Sequence, residues 1–464
     1  MIERKLEAGP SKRFFVEMLP RDISLEHAIL DLVDNSLDGA IRERISQIRA
    51  GSPTPYAGLR CVLEVSSGSF RITDNCGGIP DDRLDAALRL GRDDISLDDD
   101  KPTIGMYGIG MKRSIFKISQ DATVISRSTT STVTVHYDEE WLNPENPDWT
   151  LTIQQEPPSS QDPGVTITAN KVWPNISRVF SSPSFLDDLS RSLSRYYAYV
   201  IEKGFSIVLN GHEIAPLPVE FRLRDEVSPF YFETTNGKTK IRVIIGLFRK
   251  LTREDERELQ TMSPDRADVG SLKAGITVIC NDRVIKYADT TATTGWGMGN
   301  VPRYHPQFRS IAGVMIFESD DARTLPVSTT KGDLEIDDAV YVLGLNAAME
   351  GLRTLTQFTN QFKGIEAATD DLIESAKRAS ISEVVRALSA VARVDRRAGS
   401  GARKSPAKLP QPEKRNPMVH LAFRRERAEV EEVAELLGMS ASDRPSVVAE
   451  QVWTDKLRSL GIIK

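Results

Sequence analysis

The chain has 464 residues, enough for about three domains with sizeable cores, and a net charge of −6 that excludes a whole-chain basic field for nucleic acid while leaving local patches open. Its three cysteines, Cys61, Cys76 and Cys280, form no C-x-x-C pair, which argues against a disulfide framework or a zinc site and fits a reducing compartment. The charged N-terminus lacks an apolar signal core and no run of about eighteen apolar residues occurs, so a cytoplasmic, soluble protein with no membrane partner is expected.

Residues 1–20 are a charged lead-in whose Phe14, Phe15 and Met18 suit packing onto the following domain or onto a partner subunit. Apolar residues at Ala28, Ile29, Leu32, Val33, Leu37 and Ile41 then predict an amphipathic helix over Leu25–Arg49. Ser24 is its expected N-cap, and His27 three residues on leaves no capping box. Asp31, Asn35 and Asp38, spaced by four and three, point from one side of that helix. Two readings stand for this row: a solvated acidic face, or a site in which Asn35 holds a metal ion and Asp31 poises a water.

After a turn-rich G-S-P-T-P come strands at Leu59–Val65 and Ser69–Thr73, the second delivering Asp74 to I-T-D-N-C-G-G-I-P at Ile72–Pro80. An Asp before glycines is also a plain turn former. Asp81–Gly91 reads as a helix and the acidic stretch from Arg92 to Pro102 as a solvated loop. Gly105, Gly108 and Gly110 lead into a helix at Met111–Ile118, an arrangement that aims backbone N–H groups at an anion, with Lys112 beside it to neutralise phosphate.

Strands at Ala122–Ser128, Ser131–Tyr137, Trp149–Gln155 and Val165–Ala169 suggest an antiparallel sheet, and a helix at Phe185–Lys203 closes a first domain spanning 1–204. A second domain, 205–353, carries strands at Phe205–Leu209, Thr239–Phe248, Ala274–Cys280 and Ala312–Ile316, with helix at Thr252–Thr261 and after Asp337. Its Gly295–Asn300 loop is a lid, a dimer contact or a long connection. A helical segment, 354–394, precedes a basic flexible linker at 395–419. There Arg396, Arg397, Arg403, Lys404, Lys408, Lys414 and Arg415 are either solvated or available to a phosphate backbone. The tail, 420–464, has helices at Arg425–Leu437 and Ser446–Leu460 whose apolar faces suit a partner-docking module.

Three of these stretches, L-D-L-V-D-N-S-L-D-G-A at Leu30–Ala40, I-T-D-N-C-G-G-I-P, and I-G-M-Y-G-I-G-M-K-R-S at Ile104–Ser114, resemble in order and spacing the ATP-binding motifs of the GHKL superfamily. Gyrase B, the ninety-kilodalton heat-shock chaperone, sensor histidine kinases, MutL and MORC ATPases make up that group. The resemblance implies an α+β fold: a GHKL (Bergerat) α/β sandwich ATPase domain, a βαβ transducer domain and a helical C-terminal region. It implies ATP and Mg2+ as ligands, with Asn35 on the metal and Asp74 accepting from the adenine amino group. Asp38, Gly78, Gly105, Gly108, Ile109, Gly110, Met111 and Lys112 complete the implied nucleotide contacts. Asp31 stands where most of the ATPase branch has Glu and would polarise the attacking water. Cys76 departs from the family's D-x-G-x-G, and Gly77 is left to supply the flexibility.

D-P-G-V-T-I-T-A at Asp162–Ala169 resembles the fourth motif; with Val165 at one Thr position, Thr166 or Thr168 is left to assist adenine binding. The 92–102 stretch matches the ATP lid. C-N-D-R-V-I at Cys280–Ile285 resembles a strand–turn–strand segment of MutL and MORC, and Lys331 in L-P-V-S-T-T-K-G-D-L matches the transducer lysine that reaches the γ-phosphate. The chain looks nearest to prokaryotic MORC-like ATPases. That implies an ATP-gated homodimer, in DNA transactions or antiviral defence, with double-stranded DNA or a companion effector on the tail as client. A sensor kinase is disfavoured, since only His27 precedes Asn35 and Lys331 has no counterpart there. A chaperone-like or scaffold switch that senses ATP for a partner protein stands as the alternative.

Overall fold

The computed structural model describes residues 11–89, 101–105, 108–249, 274–328, 331–362, 367–395, 401–410 and 421–462. The lid-like 92–100 stretch, the helix expected at Thr252–Thr261, and Arg396, Arg397, Lys414 and Arg415 lie outside the described residues. The chain divides into two compact units, Met1–Pro412 and Glu413–Lys464.

Helix α1 (Leu25–Glu43) begins where Ser24 Oγ accepts from the His27 N–H at 3.1 Å, as the N-cap reading requires. It ends six residues earlier than expected, at a bend on Arg44 before the short α2 (Ile45–Arg49). Its apolar stripe is buried, and so are Asp31, Asp34 and Asp38. The solvated-face reading therefore fails. Ionisable groups are held inside only when paired or hydrogen-bonded, so the packing around this helix has to supply partners.

That packing comes from an eight-stranded sheet built of β1 (Arg60–Ser66), β2 (Ser69–Asp74), β3 (Ser119–Arg127), β4 (Thr132–Tyr137), β5 (Ile153–Glu156), β6 (Gly164–Val172), β7 (Ser206–Leu209) and β8 (His212–Glu213). Their order is β5-β4-β3-β6-β2-β1-β7-β8, antiparallel throughout except for the parallel β1–β7 pair. Alternation in β1 turns Cys61, Leu63 and Val65 inward while Arg60, Glu64 and Ser66 stay exposed. The strand expected at Trp149–Gln155 shrinks to β5. α3 (Leu84–Leu88) is one turn within the predicted Asp81–Gly91 helix, and α4 (Gly110–Ile118) packs against α1. α5 (Pro174–Phe180), α6 (Pro183–Tyr196) and α7 (Ala198–Glu202) complete this body. Its core joins Leu32, Val33 and Leu37 to Leu63, Ile72, Val124 and Ile167, each burial contributing about 1.5–3 kcal/mol.

The lead-in packs on its own body: Phe15 meets Trp149 edge-on, and the Lys12 ammonium lies over Trp141, while Phe14 and Met18 stay exposed.

A second sheet has its own core. It comprises β10 (Phe230–Asn236), β11 (Thr239–Leu247), β12 (Gly275–Cys280), β13 (Arg283–Asp289), β14 (Ile311–Glu318), β16 (Arg393–Val394) and β17 (Arg403–Ser405), in the order β13-β12-β14-β11-β10-β17-β16. Strands β12 and β14 are parallel and the other pairs antiparallel. Asn281 and Asp282, with φ of 43° and 68°, form the tight β12–β13 turn read from C-N-D-R-V-I. Helix α8 (Ala339–Gln361), capped by Asp338, packs on β11 and β14 and runs straight through the expected boundary at 353. Close approach explains its glycines: a Cβ on Gly351 would lie 2.6 Å from Ile245 Cγ1.

Beyond α8, α9 (Ala367–Ser375) and α10 (Ile381–Val391) flank β15 (Lys377–Ser380), which pairs with β9 (Glu220–Leu223); the 354–394 segment is not purely helical. The larger correction concerns the basic linker. Residues 401–410 are not free chain: β17 pairs with β10, and Ser228 and Lys408 exchange backbone hydrogen bonds. Arg403 pairs with Glu233 at 3.0 Å, and Lys404 with Glu350 at 2.7 Å and Asp395 at 3.1 Å. Their charge is matched by Glu233 and Glu350 from distant elements and by Asp395 nearby, rather than left for phosphate. Trp296, which is buried against Phe308 and Tyr304, anchors the Gly295–Asn300 loop in the second core.

In the C-terminal unit, α11 (Arg427–Leu436) and α12 (Pro445–Ser459) stand close to the two predicted tail helices, with Leu436, Val452 and Trp453 exposed. Among the described residues no helix is long and apolar enough to cross a membrane.

Candidate functional site

One cavity of about 330 Å³ opens between α1, the loop after β2, the glycine loop and the start of α4. Asp31, Asn35, Asp38, Asp74, Gly78, Gly105, Gly108, Ile109, Gly110, Met111, Lys112 and Lys331 all line it. Thr166 does not. Val165 and Ile167 face the cavity, so strand alternation turns Thr166 and Thr168 the other way, and Thr166 Oγ1 accepts from Arg127 instead, at 3.2 Å. Backbone replaces the expected hydroxyl: the Val165 N–H donates to Asp74 Oδ1 at 3.1 Å. The Gly295–Asn300 loop contributes nothing to the wall.

Three donors converge on Asp74. Besides Val165, Cys76 N–H reaches Oδ1 at 3.0 Å and Ser36 Oγ reaches Oδ2 at 2.7 Å. Burial raises the Asp74 pKa, against the pull of these donors. A carboxylate has about four acceptor positions, so one remains, on Oδ2, for a donor in the cavity. Cys76 thus serves through its N–H, and the bend itself falls to Gly77 and Gly78, with φ of 92° and 71°. A Cβ at Gly78 would stand 2.1 Å from the Arg127 carbonyl oxygen. Gly78→Ala is therefore expected to cost at least about 2 kcal/mol and to distort this wall. Denaturant unfolding reads the loss, and an unchanged midpoint would show that the bend tolerates a side chain.

Asp38 is committed to the glycine loop: Oδ1 accepts from Ile104 N–H at 2.7 Å and Oδ2 from Gly105 N–H at 2.9 Å. Burial raises its pKa, opposed by Lys331 and Arg42. It fixes the entrance of the loop whose N–H groups and helix dipole, at the start of α4, suit a phosphate. Lys112 lines this end, its ammonium donating to the Ala87 carbonyl at 2.6 Å. Asn35 carries a buried Nδ2 with no hydrogen-bond partner in the structure, an orphan polar group in the wall. Among the described residues no cluster of three His, Cys, Asp or Glu could hold a metal. Mg2+ bound with nucleotide needs only one or two side-chain oxygens besides phosphate and water, and the Asn35 amide fits that demand.

Asp31 and Asp34 were not equally legible. Asp31 Oδ2 takes the Arg113 guanidinium at 2.8 Å, both groups nearly buried. Sequence reasoning missed Arg113, which stands within the Ile104–Ser114 motif beside Lys112 but was given no role there. It also missed Asp34, although the three-and-four spacing of Asp31, Asp34 and Asp38 includes it. Asp34 accepts from Arg283 Nε and from Tyr197 OH on Oδ1, both at 2.7 Å, and meets Lys331 Nζ at 3.4 Å on Oδ2. Burial alone would raise its pKa, but Arg283, Lys331 and Tyr197 together lower it. Lys331 is held above its ordinary value: burial works against the charge, and Asp34, Asp31 and Asp38 outweigh it.

With this geometry in view, residues 23–165 match the family model described as histidine kinase-, DNA gyrase B- and HSP90-like ATPase. No curated protein matches the chain. The matched segment encloses the three motifs and most of the cavity wall, and supports a GHKL-type domain that binds ATP.

Proposed function

We propose that the chain is a Mg2+-dependent ATPase of the gyrase B, MutL and MORC-like branch, an ATP-gated switch in which the second body reads the nucleotide through Lys331. One observation carries this reading: a lysine from the connection between β14 of the second sheet and α8 enters the cavity that α1 and α4 enclose. Asp74 accepts from the adenine amino group through the free position on Oδ2. N–H groups at Gly108–Gly110 and the Lys112 ammonium take the phosphates, and Lys331 stabilises charge on the γ-phosphate. Asn35 would hold Mg2+, which would supply positive charge to the phosphate oxygens. Asp31 orients the attacking water and accepts its proton as the bond from the γ-phosphorus to ADP breaks. Asp31 is one methylene shorter than the Glu of related ATPases and shares an oxygen with Arg113, so turnover is slow.

ATP closes a homodimer, in this reading, with double-stranded DNA as client in DNA transactions or defence against viruses. ATP hydrolysis by the purified chain, with and without double-stranded DNA, beside Lys331→Met, tests it. Turnover stimulated by DNA and reduced at least about tenfold by the substitution is expected. Nucleotide binding without turnover, indifferent to DNA, would replace it with an ATP-sensing switch for an effector docked on the 420–464 tail.

A further inference from the structure

Four groups meet around one carboxylate, and of them Lys331 lines the cavity: Asp34 on α1, Arg283 at the start of β13, Tyr197 between α6 and α7, and Lys331. They are not held alike. Arg283 is 3 % exposed. Its guanidinium donates to Asp34 at 2.7 Å and to the Val284 carbonyl, and lies 4.9 and 4.6 Å from the ring centres of Tyr196 and Tyr197. Lys331 meets the other carboxylate oxygen at 3.4 Å, longer than a good charge-assisted hydrogen bond, and its backbone sits at φ 54°, where a side chain is disfavoured. Asp34 therefore has one permanent counter-ion and one loosely seated one.

We propose that Asp34 is the resting berth of Lys331, and that Arg283 is a positioning residue that keeps Asp34 neutralised so that Lys331 is free to transfer to the terminal phosphate of a nucleoside triphosphate. The inference rests on the ATP-binding reading above and adds the device by which the site tells triphosphate from diphosphate. If Lys331 were the lone partner of Asp34, its departure would strand a buried carboxylate, and stranding a buried charge is strongly unfavourable. With Arg283 and Tyr197 both on Oδ1, the carboxylate stays paired after Lys331 leaves. A diphosphate offers no γ-phosphate, so Lys331 stays on Asp34.

The test is calorimetric binding of ADP and of a non-hydrolysable ATP analogue, each with Mg2+, to the full chain. Arg283→Gln should lower the triphosphate-over-diphosphate preference at least tenfold with little change in ADP affinity. Adding Asp34→Asn to Arg283→Gln should restore the preference to the parent level or above, because no bare carboxylate remains to retain Lys331. In a Lys331→Met background, Arg283→Gln should change nothing further. Equal losses for both nucleotides, or no restoration in the double variant, would overturn the proposal and leave Arg283 a packing residue. If Arg283→Gln does not fold, the double variant decides alone: a parental preference supports the berth, and a preference as low as that of Lys331→Met refutes it. Failure of the parent to bind either nucleotide would instead sink the functional reading beneath it.

Discussion

Asp74→Asn is expected to weaken ATP binding at least about 100-fold, equivalent to roughly 2.7 kcal/mol, while leaving the fold intact. The donors around it explain both halves. An Asn can place its oxygen where Oδ1 accepts from Cys76 and Val165, keeping both backbone N–H groups satisfied. Its NH2 then occupies the Oδ2 position, where Ser36 can rotate to accept but the adenine amino group cannot, since two donors would face each other. A hydrogen bond to a charged acceptor contributes about 1.5–3 kcal/mol, and an unpaired donor adds its own desolvation cost. Calorimetry with ATP, beside a thermal melt, measures both effects. A change in affinity of less than about threefold would place the base elsewhere in the cavity.

Asp31→Asn should separate chemistry from binding. In the mechanism proposed above Asp31 is the general base and approaches the water rather than the nucleotide, so its loss is expected to lower turnover by about 10²–10⁴ while ATP affinity changes little. The substitution also leaves the buried Arg113 guanidinium facing a neutral amide, and breaking such a pair costs roughly 3–5 kcal/mol. Single-turnover hydrolysis measured well below the melting temperature keeps the two apart. Turnover within tenfold of the parent would mean that another group poises the water.

These residues were legible to different degrees. Asn35, Asp74 and the glycine loop announce themselves because each motif is a local demand: a helix row, a strand end before a positive-φ bend, N–H groups opening a helix. Thr166 shows the limit of motif reading, since one position along a strand reverses the face, and the register of β6 against β2 and β3 put Val165 and Ile167 on the cavity. Arg403 and Lys404 were misread for a different reason. A run of basic residues looks solvated when the partners Glu233 and Glu350 are far off in sequence and the pairing of Lys404 with Asp395, in the same segment, depends on how the chain folds back.

By itself the sequence determined the helix α1 with its Ser24 cap, the strands leading to Asp74, the tight turn at Asn281–Asp282 and the anion-facing start of α4. All depend on the conformational preferences of a few consecutive residues. Tertiary structure alone decided that Asp34 is buried against Arg283, 249 positions away, that Arg113 closes on Asp31, and that Lys331 rests against Asp34 where it lines the cavity. A charge taken from water must find its partner wherever the packed chain brings one, and no local pattern records where that is.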